Sequence, residues 1–349
     1  MEATSTYLFY FWRLMAACIL YQIRSIPNYL AFVRGVMVQQ RFIRTRLYPD
    51  LMRYSDTNDG TLSQQDMRKI SRYYGLGVPA ILGEMFCLLR GSPMTATERV
   101  AATYLGAITG LFDDFFDSWR IPPERINQFI HKPETIVPAN SNEKLFLDFY
   151  INKALANIPD RLKFLEASQR VFGAQQESGK QTGNQPIDQS EIEEITFRKG
   201  GVSLIFYRMA FGNSMSDAEH DALYSTGALL QLGNDIFDVY KDLQAGVRTL
   251  PTTMQSIHEL RMVFEKRTRS TFDLFEALPY PKGNIRNALN ILQVGVSRCY
   301  VCLHQLEQLQ KKTHGKFIPT AYTRKELICD MEKPVNLLRS VKYHLIICP

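Results

Sequence analysis

Apolar residues recur along most of this chain at intervals of three and four, which is the spacing of one face of an α-helix. The stretch 95–118 shows the pattern clearly, with Thr95 and Glu98 predicting its N-cap and Pro122 predicting its end. The same periodicity predicts further helices at 6–47, 79–90, 159–178, 190–212, 217–245, 251–278 and 283–313. Alternating strands joined by two-residue turns are missing from the pattern. The sequence therefore predicts an all-α protein.

No repeat or linker divides the chain, so we expect a single domain over residues 1–349. In this interpretation 1–50 form apolar and basic N-terminal helices, and 51–349 form the main helical bundle. The composition, 45% hydrophobic and 22% charged, is that of a globular protein and excludes a disordered chain.

The six cysteines are too sparse for a disulfide scaffold, so we expect a reducing, cytoplasmic setting. Cys299 and Cys302, with His304 nearby, allow a metal-binding alternative. No second Cys/His pair follows at zinc spacing, and buried helix cysteines are therefore the preferred interpretation.

The net charge of +6 is unevenly distributed. Residues 1–50 carry a net charge of +4 and residues 280–349 carry +7, which leaves the middle of the chain near −5. Basic ends suggest an anionic partner such as a phosphate group, a membrane surface or nucleic acid.

The apolar stretch Tyr7–Tyr21 is interrupted by Arg13 and is shorter than the roughly 20 residues of a membrane-spanning helix. It has no basic region before it and no clear cleavage site after it, as a signal peptide would have. We expect a half-buried first helix, with an interfacial membrane helix as the alternative.

Three acids, Asp113, Asp114 and Asp117, lie at the end of the helix predicted over 95–118. Asp113 and Asp117 are four residues apart and share one helix face. Phenylalanines separate the acids, which indicates partial burial, and buried carboxylates are costly unless cations compensate them. An exposed acidic patch is the alternative.

A second set lies in the helix predicted over 217–245, which Ser216 and Glu219 open with a capping-box pattern. Asn234, Asp238 and Asp242 are spaced by four, so their oxygens share one face over two turns, and Gln231 extends that face. Oxygen ligands in such a line suit Mg²⁺, which binds a few carboxylates together with substrate phosphate oxygens. Two stripes on two mainly apolar helices therefore predict a diphosphate–Mg²⁺ site.

A cationic contact for the diphosphate is expected at Lys199, with Arg198 as the second candidate. Gly200 and Gly201 follow them and interrupt the helical pattern, which would let the backbone approach a ligand closely. A solvated Arg-Lys pair at a helix break is the alternative. Lys241 is a further candidate for binding the diphosphate.

The two acidic motifs resemble those of the class I isoprenoid synthases, the all-α superfamily of terpene cyclases, prenyl diphosphate synthases and squalene/phytoene synthases. Asp113, Asp114 and Asp117 match the DDxxD motif. The second motif is similar to the cyclase pattern NDxx(S/T)xxxE, with Asp in place of Ser/Thr and Glu; the match is at Asn234, Asp235, Asp238 and Asp242. The stretch Gln231–Pro251 is also similar to the squalene/phytoene synthase pattern QLxNxxxDVxxDxxxGxxxLP.

The resemblance implies a helical bundle with a central active-site cavity, in which the two motifs ligate Mg²⁺, three ions in all, with Mn²⁺ as a substitute. It also implies a basic diphosphate contact before the second motif, a position that Lys199 matches. Aromatic side chains would enclose the carbocation. Candidates for that wall are Phe86, Phe112, Phe116, Phe206, Tyr207 and Phe237.

The implied function is a terpene synthase that ionises a C15–C25 prenyl diphosphate, releases diphosphate and cyclises the allylic cation. The alternatives are a prenyl transferase joining two prenyl diphosphates and a non-catalytic helical partner protein. We expect no nucleic-acid partner. Membrane association through the N-terminal helix and homodimer formation stay open.

Overall fold

The computed structural model describes residues 33–117, 121–183 and 186–346, without the side chains of Asp113, Phe116 and Asp117. Within these ranges the chain forms helices and no strand, which confirms the predicted all-α class. The first helix, α1, covers 33–42. The others are α2 Tyr48–Ser55, α3 Gln64–Arg68, α4 Gly75–Gly77, α5 Glu84–Arg90, α6 Ala96–Asp117, α7 Pro123–His131, α8 Ser141–Asp148, α9 Arg161–Ser178, α10 Gln189–Arg208, α11 Asp217–Phe237, α12 Val239–Ala245, α13 Leu250–Thr253, α14 Ile257–Glu276, α15 Lys282–Lys312, α16 Arg324–Leu327 and α17 Pro334–Ile346.

Among the described residues, four stretches of π-helix join these elements, all of them before residue 155. They are Ile43–Leu47, Lys69–Tyr74, Val78–Gly83 and Phe149–Ala154. A π turn inserts one residue into the helical repeat and rotates the following face, and such turns are frequent at functional sites. The helix predicted at 79–90 therefore consists of a π stretch followed by α5.

The caps that open α6 and α11 use the predicted residues in different ways. At α6, the Glu98 amide donates to Thr95 Oγ1 and the Thr95 amide donates to Glu98 Oε2, which completes a capping box. At α11, the Glu219 amide donates to Ser216 Oγ, but the Glu219 carboxylate accepts bonds from Arg208 and Tyr280 instead. A buried ion pair has taken the place of the second half of that box.

The predicted helix break at the glycine pair is wrong, because α10 continues through Gly200 and Gly201. A Cβ added at Gly200 would lie 2.1 Å from the Gly227 carbonyl oxygen, and one added at Gly201 would lie 2.6 Å from the Tyr224 ring. The glycines therefore let α10 and α11 pack backbone against backbone. This close crossing sets Lys199 beside the second motif.

An aromatic cluster fills the core between α6, α7 and α8. The Phe115 ring lies 5.3 Å from Phe129 and 5.0 Å from Phe146, and Phe146 stacks on Tyr150 at 5.6 Å between centroids. Rings at these distances contribute about 0.5–1.5 kcal/mol beyond their buried area. The cluster holds the end of α6, which carries the first acidic motif, against the rest of the bundle.

Cys299 and Cys302 are buried in α15, as the preferred interpretation predicted, and Cys302 Sγ donates to the Ile236 carbonyl at 3.3 Å. Both thiols are free, and burial raises the pKa of Cys299 to about 12. The half-buried first helix expected at Tyr7–Tyr21, with an interfacial membrane helix as the alternative, lies outside the described residues. Within the described part, no helix is long and apolar enough to cross a membrane.

Candidate active site

A cavity of about 360 Å³ lies among α6, α9, α10 and α11. Much of its wall is aromatic, and the rings belong to Tyr74, Phe112, Phe146, Tyr150, Phe206 and Tyr207. Three of the rings predicted for such a wall, Phe112, Phe206 and Tyr207, are among them. Phe86 instead packs on Phe211 at 5.2 Å, and Phe237 is half-buried outside the lining. Phe116 lies outside the described side chains.

The polar part of the same wall contains Lys199, Gln231, Asn234 and Lys241. Three helices supply them: α10 carries Lys199, α11 carries Gln231 and Asn234, and α12 carries Lys241. Lys199 is half-buried, and its ammonium has no hydrogen-bond or salt-bridge partner within the described part of the chain. The structure thus joins an available cation and a motif amide to an aromatic cavity.

The line of oxygens predicted along the second motif is bent at Asp238. The helix is interrupted there, with φ −92° and ψ 12°, although the Asp238 and Asp242 amides still donate to the carbonyls of Asn234 and Asp238. Asn234 Nδ2 donates to Asp238 Oδ2 at 3.5 Å, and Lys241 Nζ lies 3.3 Å from the same oxygen. Asn234 and Asp238 therefore remain neighbours, while Asp242 belongs to the next helix.

Asp235 is fully buried behind this face. Its carboxylate accepts bonds from Gln231 Nε2 at 2.8 Å and from Thr196 Oγ1 of α10 at 3.2 Å. Burial raises the pKa of Asp235 to about 6, against the lowering effects of the Gln231 bond and of the positive charge on Lys199. A carboxyl group in this position ties the motif helix to α10 and orients Gln231 in the cavity wall.

The half-buried Asp242 carboxylate has no hydrogen-bond or salt-bridge partner in the part of the chain that the structure describes. Burial raises the pKa of Asp242 to about 7, and the negative charges of Asp235 and Asp238 add to the rise. Lys241 and Lys199 act in the opposite direction, from a distance. The carboxylates of Asp235, Asp238 and Asp242 repel one another, and neither lysine forms an ion pair with Asp235 or Asp242. A bound cation would therefore stabilise this cluster.

The first motif shows a different arrangement. Asp114 accepts two hydrogen bonds from Lys69 Nζ, both at 2.9 Å, across the contact between α6 and the π stretch Lys69–Tyr74. Gly106 and Gly110 make this contact possible, since a Cβ at Gly106 would lie 2.4 Å from the Tyr74 carbonyl oxygen. The predicted metal ligand Asp114 is thus held by a lysine.

The side chains of Asp113 and Asp117 lie outside the described part, but the backbone of α6 is described up to Asp117. Thr109, which lines the cavity and shares a 2.8 Å hydrogen bond with Tyr207, is one helical turn before Asp113. Positions 109, 113 and 117 therefore share one face of α6.

Arg198, the second predicted diphosphate contact, points away from the cavity and pairs with Glu177 of α9 at 2.9 Å. Lys199 is the only one of the two that lines the cavity. Of the side chains the structure describes, no three His, Cys, Asp or Glu come together as a ready-made metal-binding group. Asn234 and Asp238 provide two adjacent oxygen ligands, a number that suits Mg²⁺ shared with a phosphate ligand.

Several residues of the site carried no sequence signal on their own. Lys69 and Tyr74 lie at the two ends of a π stretch that periodicity does not reveal. Phe146 of α8 and Tyr150 of the following π stretch both line the cavity. Their positions in the sequence do not differ from those of ordinary core residues. The nearest available signal was the small-residue spacing Gly106–Gly110, which faces Tyr74.

A scan of the chain against protein-family models finds no match, and a search of the curated proteins finds no significant similarity.

Proposed function

We propose that this protein is a class I terpene synthase, which ionises a prenyl diphosphate and cyclises the resulting allylic cation. The observation that carries the proposal is the shared wall of one cavity. Lys199 and Asn234, which belong to the predicted diphosphate and metal sites, line the same 360 Å³ space as six aromatic rings. Its volume is within the range of pockets that enclose small ligands.

The donor set fits a hard divalent cation. Asn234 and Asp238 would hold Mg²⁺ with phosphate oxygens, Asp242 adds negative charge nearby, and Asp113 and Asp117 are proposed as the ligands on α6. When bound, the metal would supply Lewis-acid catalysis and neutralise the leaving diphosphate. We do not assign Asp114 to this set, because Lys69 already neutralises it.

The protein's own groups would act on the two ends of the substrate. The Lys199 ammonium would bind the diphosphate and stabilise the negative charge that develops as the C1–O bond breaks. The aromatic rings would enclose the prenyl chain, exclude water and stabilise the cation through their faces. Gln231, held by Asp235, keeps the wall between these two ends ordered.

The deciding test incubates the purified chain and Mg²⁺ with geranyl, farnesyl, geranylgeranyl or geranylfarnesyl diphosphate, with and without isopentenyl diphosphate. Extracts are analysed by mass spectrometry. A hydrocarbon or alcohol formed from one diphosphate supports the synthase. A product that needs two prenyl units supports the transferase alternative, which the sequence of Gln231–Pro251 favours. Activity that survives Asp113→Asn combined with Asn234→Ala would overturn the metal assignment.

Adjacent cations give a matched pair of variants. Lys199→Met should lower kcat/KM by about 10²–10³-fold, as expected when a preorganised charge is removed from a leaving group. Arg198→Met removes the neighbouring cation, which pairs with Glu177 outside the cavity, and should change kcat/KM by no more than about threefold. Equal losses in both variants would contradict the role of Lys199.

A binding test needs no turnover. Mg²⁺ together with inorganic diphosphate should raise the melting temperature, since a ligand at 100 times its Kd stabilises by about 2.7 kcal/mol. Asn234→Ala should remove this stabilisation. A shift of equal size in Asn234→Ala would place the ions elsewhere.

A further inference from the structure

The last described helix, α17, buries polar side chains and exposes apolar ones, which is the reverse of an ordinary surface helix. Asn336 and His344 are buried against the protein, while Val335, Leu338 and Val341 are 57%, 71% and 51% exposed. These three apolar residues recur at intervals of three, which places them on one outward face. A surface helix normally turns its apolar face to the core.

The orientation of α17 is set by contacts on its inner face. Asn336 Nδ2 donates to the Asp330 carbonyl at 2.8 Å, and Tyr343 stacks on Tyr300 of α15 at 5.4 Å between centroids. These contacts fix the rotation of the helix about its axis. The apolar stripe Val335/Leu338/Val341 is therefore a stable feature of the surface and not one of several rotational states.

The charges beside the stripe identify what could cover it. Arg339 and Lys342 are exposed on the same side of α17, and the helix itself contains no acid. Lys333, just before the helix, is offset by the neighbouring Glu332, so the charge beside the stripe comes from the two cations of α17. A two-fold contact between copies would bring these cations face to face, because the same patch meets itself in such an interface. Residues 1–32 contain two Arg and one Glu, so they offer no net negative charge either. A partner surface that is both apolar and anionic would match the apolar stripe and the cations beside it.

We propose that α17 docks the protein on an anionic lipid bilayer, lying in the plane of the interface. Leu338 and Val341 would enter the boundary between headgroups and acyl chains, and Arg339 and Lys342 would lie at the lipid phosphates. At 13 residues, or about 20 Å, the helix is too short to span a bilayer. The proposal does not depend on the reaction proposed above.

The experiment is co-sedimentation of the full-length chain with vesicles. The wild type should pellet with vesicles of phosphatidylcholine and phosphatidylglycerol, less with phosphatidylcholine alone, and less at high salt. Leu338→Glu should lower the partition coefficient at least tenfold through lost apolar burial. Arg339→Gln with Lys342→Gln should lower it on the order of tenfold, and only with the anionic vesicles.

The controls are exposed residues of the same types on another helix. Leu162 of α9 is 76% exposed, so Leu162→Glu is matched to Leu338→Glu and should leave binding unchanged. Arg161→Gln with Arg170→Gln, also on α9, is the matched control for the charge variant.

Three results would overturn the proposal. The first is binding that Leu338→Glu does not weaken, as would happen if residues 1–32 bound the lipid. The second is equal binding to neutral and anionic vesicles. The third is a dimer in light scattering that Leu338→Glu converts to a monomer, which would make the stripe an interface between copies. If Leu338→Glu fails to fold by circular dichroism, Leu338→Trp replaces it, and its fluorescence relative to wild type should shift to shorter wavelength with anionic vesicles; no shift would equally overturn the proposal.

Discussion

Each end of α11 carries a buried carboxylate, Glu219 in the first turn and Asp235 in the last. The two ends differ in whether a cation contacts the carboxylate. At the first turn, Glu219 bonds Arg208 at 2.8 Å and the Tyr280 hydroxyl at 2.6 Å, and all of its charge is matched locally. At the other end, the buried Asp235 in the last turn of α11 and the half-buried Asp242 in α12 have no cation in direct contact, and the pKa of both carboxyls is raised. A buried carboxylate in contact with a cation is typical of a structural ion pair. Carboxylates with raised pKa values and no cation in contact are typical of functional sites.

The largest expected effect comes from breaking the matched end. Arg208→Met would leave Glu219 buried without its cation and should lower the free energy of unfolding by about 3–5 kcal/mol. Chemical denaturation measures this directly. Arg198→Met, which breaks the exposed pair with Glu177, should cost less than about 1 kcal/mol. Similar losses in the two variants would remove the distinction between a buried and an exposed pair.

The raised pKa values of Asp235 and Asp242 should make the metal-free protein less stable as the pH rises. The folded pKa of Asp242, about 7, lies above its usual 3.8, so the folded state holds a proton that the unfolded state has lost. Stability is therefore highest below pH 4 for this group and is lost as the pH rises towards 7. Denaturation in the presence of a chelator should show that Asp242→Asn removes on the order of 2–4 kcal/mol of this pH dependence.

The control for that measurement is Asp160→Asn, an exposed N-cap carboxylate of α9. It should leave the slope between pH 4 and pH 7 unchanged and change stability by less than about 0.5 kcal/mol, because asparagine caps a helix about as well as aspartate does. If Asp242→Asn leaves the slope intact, the cluster at the end of α11 is already compensated.

The smallest expected effect concerns Gly200, where α10 and α11 cross closely. Gly200→Ala would force α10 and α11 apart and should destabilise the protein by about 1–3 kcal/mol. Gly173→Ala is the matched control, because it lies inside α9 with no atom within 4 Å of the added Cβ and should stabilise by up to about 1 kcal/mol. Opposite signs in thermal unfolding would confirm that the Gly200 contact is a packing requirement.

Much of the helical architecture was predictable, because it depends on local periodicity and on capping residues. The stretches 159–178, 190–212 and 283–313 correspond to α9, α10 and α15 with small shifts at their ends. The pattern could not show that 251–278 divides into α13 and α14, or that Asp238 interrupts 217–245. Those breaks depend on how the segments pack and not on their own polarity.

The candidate site was predictable in its chemistry and less so in its arrangement. Lys199 was identified beside the glycine pair and Asn234 from the spacing by four, and both line the cavity. Asp114 of the first motif and Arg198 next to Lys199 were predicted for the same site, yet they pair with Lys69 and Glu177. Neighbours in a helix point in directions about 100° apart, so only the packing of α10 decided that Lys199 and not Arg198 faces the cavity.

The sequence by itself determined the all-α class, the caps that begin the main helices and the residue types that suggest a diphosphate–metal site. These properties arise from interactions between residues a few positions apart. The tertiary structure alone decided that Gly200 and Gly227 bring two backbones into contact, that the half-buried Asp242 carboxylate has no cation beside it among the described residues, and that α17 turns its apolar stripe outward. Each of these depends on contacts between distant segments, whose energy comes from close packing and desolvation and leaves no periodic trace along the chain.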